Sequence, residues 1–479
     1  MPSLGLGEIE KVHSLLIEFL KKENVPASLT FEEKFKLYQK FKLSLQNQDD
    51  NYDIEVIIYL FDKLFDQNYK FNKKPLDKIT VRHFEKQTKY KSIDELNNSA
   101  IKVPKKYQKK WDQFIKLYNT PQPAQRTPEW YKYREERITA SDAATAIGEH
   151  AKEKDPNKLI IKKCDSDFFP FEDNIFCHHG KKYEPIATMI YEHIENVKIT
   201  EFGCLPHPTI SYLGASPDGI CSKSTLDHKF SPLLGRMLEI KCPYSRAIKM
   251  EGKVDDGICP HYYYLQVLLQ IECCDLDECD FIQCRLTEYD DRIDYLNDPC
   301  ENTEHYRGEY VKEDKVVAKP ITMNKNWLKG CILQFIPKNK LNDNNRIFSA
   351  EYIYPPSLDL STEEYDKWTN ETICNLHYDH PNLMERCVFD KVLYWRLEKT
   401  HVVLIKRDEK WFTDTLPKFK DFWDKVLYYR GNPSKIDELK QKYKKFKYDT
   451  TLNISTSKVM ASKKLFLNED ENPDIDFMD

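Results

Sequence analysis

A chain of 479 residues, 32% of them charged and 40% hydrophobic, can build two or three globular domains with well-hydrated surfaces. No apolar run approaches the ~20 residues of a membrane span, and residues 1–8 lack the basic and apolar regions of a secretory signal, so an intracellular protein without membrane contact is expected. A net charge of −5 excludes nucleic-acid binding by bulk basicity, yet permits a local basic channel beside an acidic site.

Along the chain, apolar residues recur at spacings of three and four in Ile9, Val12, Leu15, Leu16, Phe19 and Leu20. They do so again in Ile54, Ile57, Ile58, Leu60, Phe61 and Leu64, which predicts an all-helical N-terminal domain over residues 1–120. The first run stops near Asn24-Val25-Pro26, and Pro121-Gln122-Pro123 marks a linker. Just before that linker, Lys105, Lys106, Lys109, Lys110 and Trp111 read as a solvated helical face, with a phosphate contact as the alternative. From 121 to 287, short β-branched or aromatic runs alternate with helical stretches, the texture of an α/β core. Residues 288–391, rich in Asp, Asn, Glu and Tyr, carry no motif and read as an insertion. Over 392–430 the chain returns to the core. It does so with an apolar strand, Val402-Val403-Leu404-Ile405, and an amphipathic helix at 413–429 that puts Leu416, Phe419, Phe422, Trp423 and Val426 on one side. Residues 431–479 form a C-terminal extension that ends in an acidic tail at 468–479.

The residues that carry chemistry concentrate in the α/β stretch. Ala215-Ser216-Pro217-Asp218-Gly219 is a turn sequence with one acid, and turns use Pro, Asp and Gly for backbone reasons alone. After it comes Leu238-Glu239-Ile240-Lys241-Cys242-Pro243, in which Glu239 and Lys241 project from the same face of a strand. Apolar Leu238 and Ile240 bracket them, and burying a carboxylate beside an ammonium is costly without a further partner. A divalent cation is such a partner. Phosphodiester hydrolysis needs charge compensation on the phosphate and a deprotonated water, which Mg²⁺ held by carboxylates provides. Asp218 and Glu239, on adjacent strands, would bind the metal together with the backbone carbonyl of Ile240. Lys241 would hold the attacking water or stabilise developing charge. The alternative is a hairpin turn followed by a strand with an ordinary surface Glu/Lys pair.

Three more segments bear on that choice. Glu184, in Gly180-Lys181-Lys182-Tyr183-Glu184-Pro185, is expected at the start of a helix through Ile186, Met189, Ile190 and Ile194. Helix electrostatics alone also favours an acid in a first turn. Upstream, Thr127 and Pro128 suit an N-cap and first helical residue, and Arg134 suits bidentate contact with a phosphate. Ser141, the expected N-cap of the next helix, would set its hydroxyl and nearby amides at an anion site, although capping explains it equally well. Residues 262–270 read as an apolar helix in which Gln266 is unusual for a core. Reaching towards the site's lysine or water explains Gln266, and so does partial exposure.

Taken in order, these segments resemble the phage lambda exonuclease family of viral recombinases, the YqaJ group within the PD-(D/E)xK nuclease superfamily. The matching segments are 130–141, GKKYE ending at Glu184, SPDG at 216–219, EIKCP at 239–243 and YLQV at 264–267. The likeness continues in the strand at 402–411 and the helix after it, so it covers 128–285 and 392–430. It implies an α/β fold with a restriction-endonuclease-like core, a mixed central sheet flanked by helices, beside an all-α N-terminal domain. It implies that Glu184, Asp218, Glu239 and the Ile240 carbonyl ligate Mg²⁺, with Mn²⁺ able to substitute. Lys241 becomes the catalytic lysine and Gln266 the helix glutamine of the site. Arg134 and Ser141 become the pocket for a 5′-terminal phosphate. Arg246 adds a phosphate contact, one residue closer to the Glu-x-Lys strand than in the family pattern. The implied activity is 5′-to-3′ degradation of duplex DNA by two-metal-type catalysis. The implied assembly is a homo-oligomer working beside a strand-annealing or helicase partner. The implied source is a large DNA virus, with the protein in the host cytoplasm, viral factory or virion.

The 14 cysteines of so long a chain read as reduced thiols rather than a disulfide framework. Related Cas4-like nucleases hold an iron–sulfur cluster. The spacing of Cys273, Cys274, Cys279 and Cys284 does not fit a C-x₂-C pattern, so no cluster is expected. Cys177, His178, His179, Cys204 and His207 are spaced too irregularly for a zinc site. Two other readings stand beside the exonuclease: a same-fold endonuclease or single-strand or flap nuclease, and a catalytically silent DNA-binding assembly protein. Retention of all three acids and the lysine argues against the silent protein.

Overall fold

The computed structural model describes residues 101–170 and 173–443, with isolated positions between 15 and 44. Of the predicted N-terminal helices, positions 15, 16 and 18–22 are helical. The remainder of those helices and the acidic tail at 468–479 lie outside the described residues. The described chain falls into two units, one holding 101–286, 302–323 and 397–443, the other holding 287–301, 324–396 and the N-terminal positions.

The larger unit begins with α1 (Gln108–Asn119) and α2 (Pro128–Glu135). Thr127 caps α2 by accepting the Trp130 N–H at 3.2 Å, and Pro128 opens its first turn. Strand β1 (Ile138–Thr139) runs into a single 3-10 turn at Ala140–Asp142 and the short α3 (Ala143–Ala146). Here the sequence expectation is corrected: Ser141 is not the cap. Thr139 caps the turn and Asp142 returns the bond to the Thr139 N–H, a capping box that leaves Ser141 inside the turn with its hydroxyl available to the cleft. Helix α4 (Pro156–Cys164) follows, capped by Asp155.

Helix α5 (Ile175–Glu195) corrects a second expectation. It starts at Ile175, where the Asn174 side chain accepts the N–H groups of Phe176 and Cys177. Glu184 therefore sits mid-helix rather than in a first turn. Pro185 cannot donate to the preceding turn, which ordinarily costs a helix about 3 kcal/mol. Burial of Tyr183, Ile186, Ala187, Met189, Ile190 and Tyr191 holds the helix through that point, at roughly 1.5–3 kcal/mol for a large apolar side chain.

The strands that follow are β2 (Ile199–Thr200), β3 (Leu205–Pro206), β4 (Leu213–Ala215), β5 (Gly219–Cys221), β6 (Met237–Lys241), β7 (Gly252–Lys253) and β8 (Glu278–Glu288), with helix α6 (His261–Cys274) between β7 and β8. Strands β9 (Glu304–Lys312) and β10 (Lys315–Pro320) also belong to this unit, as does the part of β13 (Cys387–Lys406) from Leu397 onward. A long helix at Glu409–Gly431 closes it. The central sheet runs in the order β2-β5-β6-β8-β13-β9-β10-β7. Pairing is antiparallel at β2–β5, β5–β6, β9–β10 and β10–β7, and parallel at β6–β8 and β13–β9. A second small sheet has the order β1-β4-β3. This is a mixed sheet flanked by helices. The stretch 302–323, read from sequence as part of an insertion, contributes β9 and β10 to this sheet. Its charged, Tyr-rich composition hides strands that are secured by pairing with residues far away in sequence.

Helix α6 is apolar nearly all round because both cores use it. Val267, Leu268 and Ile271 pack with Phe114, Ile220, Met237, Phe281 and Val403. Leu269 and Cys273 pack with Ile138, Leu159, Leu213, Phe419 and Phe422. The Gln residues of α6 are thereby confined to the one narrow face that meets β6.

The smaller unit has its own core. Strand β11 (Lys329–Pro337) pairs antiparallel with β12 (Glu351–Ile353) and with β13 from Cys387 to Arg396. Leu333, Phe335, Tyr365 and Trp368 pack together there, the last two from helix Thr362–Cys374.

Candidate active site

Strand β6 buries four of its five residues and leaves only the Lys241 side chain, at its end, 16% exposed. Glu239 is 1% exposed, a costly place for a carboxylate unless every oxygen is paired. It is well paired. Gln266 Nε2 donates to Oε1 at 2.7 Å and Gln270 Nε2 donates to Oε2 at 2.7 Å. Lys241 Nζ stands 2.9 Å from Oε1, and its ammonium also lies 4.3 Å from the centre of the Tyr263 ring.

Asp218 immediately precedes β5, and the pairing of Gly219 with Leu238 sets it beside Glu239. The Ile240 N–H donates to Asp218 Oδ2 at 2.6 Å, tying the two acid-bearing segments together. Gly219 has a steric reason rather than a turn reason. A Cβ there would come within 2.3 Å of Ile199 Cγ2, so any other residue would force the Ile199 side chain of β2 to move.

Electrostatics in the cleft are unfavourable to so many acids. Burial pushes the Asp218 carboxyl well above the usual carboxylate range, and the negative charges of Glu239 and Glu184 push it further. Lys241 and the Ile240 N–H pull the other way. Glu184 reaches the same cleft from α5, where its Oε2 pairs with Arg126 Nη2 at 2.6 Å. Three carboxylates and the Ile240 carbonyl form an all-oxygen donor set that would suit a hard divalent cation, which relieves their repulsion. Among the described residues no three His, Cys, Asp or Glu side chains form a ready metal cage. Glu239 and Glu184 instead engage Lys241, Gln266, Gln270 and Arg126.

A second cluster adjoins the acids. Arg134 Nη2 donates to Ser141 Oγ at 2.9 Å, and its guanidinium lies 4.0 Å from the Trp130 ring centre. Trp130 Nε1 donates to Ser216 Oγ at 3.0 Å, which joins this cluster to the Pro-Asp-Gly turn. Beneath it, Lys163 donates to the Arg134 carbonyl at 2.9 Å and to Asp142 Oδ2 at 2.6 Å. Burial drives the Asp142 carboxyl upward, but the positive charges of Lys163 and Arg134 outweigh it and hold the group well below its ordinary range. Arg246 closes the cleft from the loop after β6, with Nη2 donating to Gln283 Oε1 at 2.9 Å.

All nine residues singled out from sequence line this one cleft: Arg134, Ser141, Glu184, Asp218, Glu239, Ile240, Lys241, Arg246 and Gln266. Sequence reasoning missed Gln270, Arg126, and the Asp142–Lys163 pair. Gln270 had a readable signal, since it follows Gln266 by four positions and so shares its helix face. Arg126 and Glu184 meet across 58 positions of sequence, and no local pattern announces that. The cysteines considered for an iron–sulfur cluster, Cys273, Cys274, Cys279 and Cys284, are all buried free thiols.

Comparison with known proteins bears on the same stretch. A family model described as a YqaJ-like viral recombinase domain matches residues 129–277, which include all nine of those residues. "Uncharacterized protein R354" of Acanthamoeba polyphaga mimivirus is 36% identical over 420 residues, covering 85% of this chain and 72% of that protein. Among solved structures, an alkaline exonuclease from Laribacter hongkongensis is 17% identical, with a TM-score of 0.30 over 67% of this chain and 100% of that one. A phage-related exonuclease from Haemophilus somnus is 11% identical, with a TM-score of 0.23 over 52% of this chain and 96% of that one. No helix among the described residues is long and apolar enough to cross a membrane.

Proposed function

The chain belongs to the YqaJ-like viral recombinase family and is a DNA nuclease, and from that premise we propose that it is a Mg²⁺-dependent exonuclease acting 5′ to 3′ on duplex ends. The observation that carries this reading is the sharing of one cleft by two clusters: the acids with Lys241, and the Arg134–Ser141 pair. The first cluster fits cleavage of a phosphodiester. The second fits capture of a terminal phosphate, which only a DNA end possesses.

Asp218, Glu239, Glu184 and the Ile240 carbonyl would hold Mg²⁺, with Mn²⁺ as a substitute. Such an ion would neutralise charge on the scissile phosphate and acidify the water that attacks it. Lys241 hydrogen-bonds that water and steadies the charge that builds on the phosphate as the bond breaks. Gln266 and Gln270 fix the rotamer of Glu239, so that the carboxylate presents the same geometry at each turnover. Arg134 and Ser141 bind the terminal phosphate. The stacked Trp130 keeps the guanidinium plane in place. A homo-oligomer assisted by a strand-annealing or helicase partner completes the reading, and a molar mass measured in solution tests the first of these.

The decisive experiment compares closed-circular duplex DNA with linear duplexes that carry or lack a 5′-phosphate, in Mg²⁺ and in EDTA. Cleavage of linear DNA alone, faster with a 5′-phosphate and absent in EDTA, is expected. Linearised circles would replace the exonuclease with an endonuclease. No Mg²⁺-dependent cleavage of either substrate would sink the reading.

A further inference from the structure

We propose that Tyr244 and Arg246 form a nucleotide clamp at the rim of the cleft, in which Tyr244 stacks on a base freed at the DNA end and Arg246 holds an adjoining phosphate. The inference rests on the nuclease reading and adds to it a base-binding surface.

Tyr244 lies three residues beyond Lys241 and is 46% exposed, a large ring left against water. Exposure here does not mean looseness. Its ring meets Phe176 at 5.9 Å and 78°, and His179 at 5.3 Å and 75°, both edge-to-face. Arg285 Nη1 donates to the Tyr244 carbonyl at 2.8 Å, and Nη2 of the same guanidinium donates to the Arg246 carbonyl. Both ends of the Tyr244–Arg246 turn are thus pinned. Phe176, Pro243 and Arg246 line the cleft directly, and the Tyr244 ring packs edge-on against the first of these.

The second observation concerns Arg246 itself. One of its terminal nitrogens is committed to Gln283. Its Nε is buried and has no hydrogen-bond partner among the described residues. That nitrogen is closed to solvent, but the residue as a whole lines the cleft and offers its charge to an anion there. A phosphate there would sit two residues from an exposed aromatic ring. That pairing of a cation for the backbone with a ring for the base is how proteins hold single-stranded nucleic acid. The cleft is lined by charged groups of both signs, Arg134 and Arg246 among them, which favours a charged occupant over an apolar peptide. Every base has a π-face, so the clamp reads no sequence.

The test uses the full chain in EDTA with 5′-phosphorylated duplexes carrying 2-aminopurine at each of the first three nucleotides of either strand. Wild type and Tyr244→Phe are expected to quench the probe at one or more of these positions. Tyr244→Ala is expected to lose the quenching and to weaken end binding roughly tenfold. Arg246→Gln is expected to weaken binding while keeping the quenching at saturating protein. Unchanged quenching and affinity in Tyr244→Ala overturn the clamp, whereas a wild type that cleaves no DNA in Mg²⁺ overturns the nuclease reading together with it.

Discussion

The side-chain amide of Gln270 donates to Glu239 Oε2, and that of Gln266, one helical turn earlier, donates to Oε1 at the same distance of 2.7 Å. Two neutral donors on one helix face therefore grip both oxygens of a carboxylate buried on the facing strand. The arrangement gives both oxygens of a buried side chain a hydrogen-bond partner. Removing either donor takes one of those partners away.

Gln270→Ala is accordingly expected to cost about 1.5–3 kcal/mol, the range for a hydrogen bond to a charged group, and to slow cleavage as Glu239 loses its fixed rotamer. Gln270→Glu, which sets like charges together, should be worse on both counts. Urea unfolding and single-turnover cleavage measure the two effects, and an unchanged unfolding midpoint in Gln270→Ala would contradict the account.

Lys241→Ala should lower turnover by on the order of 100-fold or more, the scale of losing one charge-stabilising donor in a water-poor site. End binding in EDTA should survive, because Arg134 and Ser141 are untouched. Full activity of this variant would remove Lys241 from the chemistry.

The Asp142–Lys163 pair, buried beneath Arg134, offers a test through stability and specificity together. Asp142→Asn leaves Lys163 buried without a countercharge, at a cost approaching the roughly 3–5 kcal/mol of a broken buried pair. It should also blunt the preference for a 5′-phosphate, since Lys163 holds the Arg134 carbonyl. Because the folded-state carboxyl of Asp142 is depressed, its stabilisation is present above the ordinary carboxylate pKa of about 3.9 and disappears only as pH falls through the depressed value. The gap in melting temperature between wild type and variant should be flat from pH 7 to pH 5. A gap that closes over that interval would show that Asp142 titrates there and is not held ionised by Lys163 and Arg134.

His401 gives a pH dependence of the same sign in a higher pH window. It is fully buried, both ring nitrogens lack hydrogen-bond partners among the described residues, and burial lowers its pKa to about 4. The unfolded chain takes up a proton near the ordinary histidine pKa of about 6.5, while the folded chain resists until about 4. Its contribution is therefore complete above about 6.5 and lost on acidification towards the lower value. His401→Leu should keep or raise the melting temperature at pH 7 and make its decline below pH 6.5 shallower. An equally steep decline would assign the acid sensitivity elsewhere.

Much of this site is legible in the sequence because its rules are local. Glu239 and Lys241 share a face through the two-residue repeat of a strand, and Thr127 with Pro128 starts a helix by capping chemistry that needs only three more residues. Asp218 stands before a glycine whose missing Cβ leaves room for Ile199. Such features depend on dihedral preference and short-range hydrogen bonds, which a single segment carries by itself.

What the sequence alone determined is thus the acid–lysine strand, the turn with its acid, and the order of the motifs. Tertiary structure alone decided that Glu184 projects from the middle of α5, that Thr139 rather than Ser141 caps the turn beside Arg134, and that 302–323 supplies two strands of the sheet. It also brought Gln270 to Glu239 and Arg126 to Glu184. These outcomes follow from which distant faces pack together and in what register. That choice is made by the sum of many buried contacts, and no window of neighbouring residues contains it.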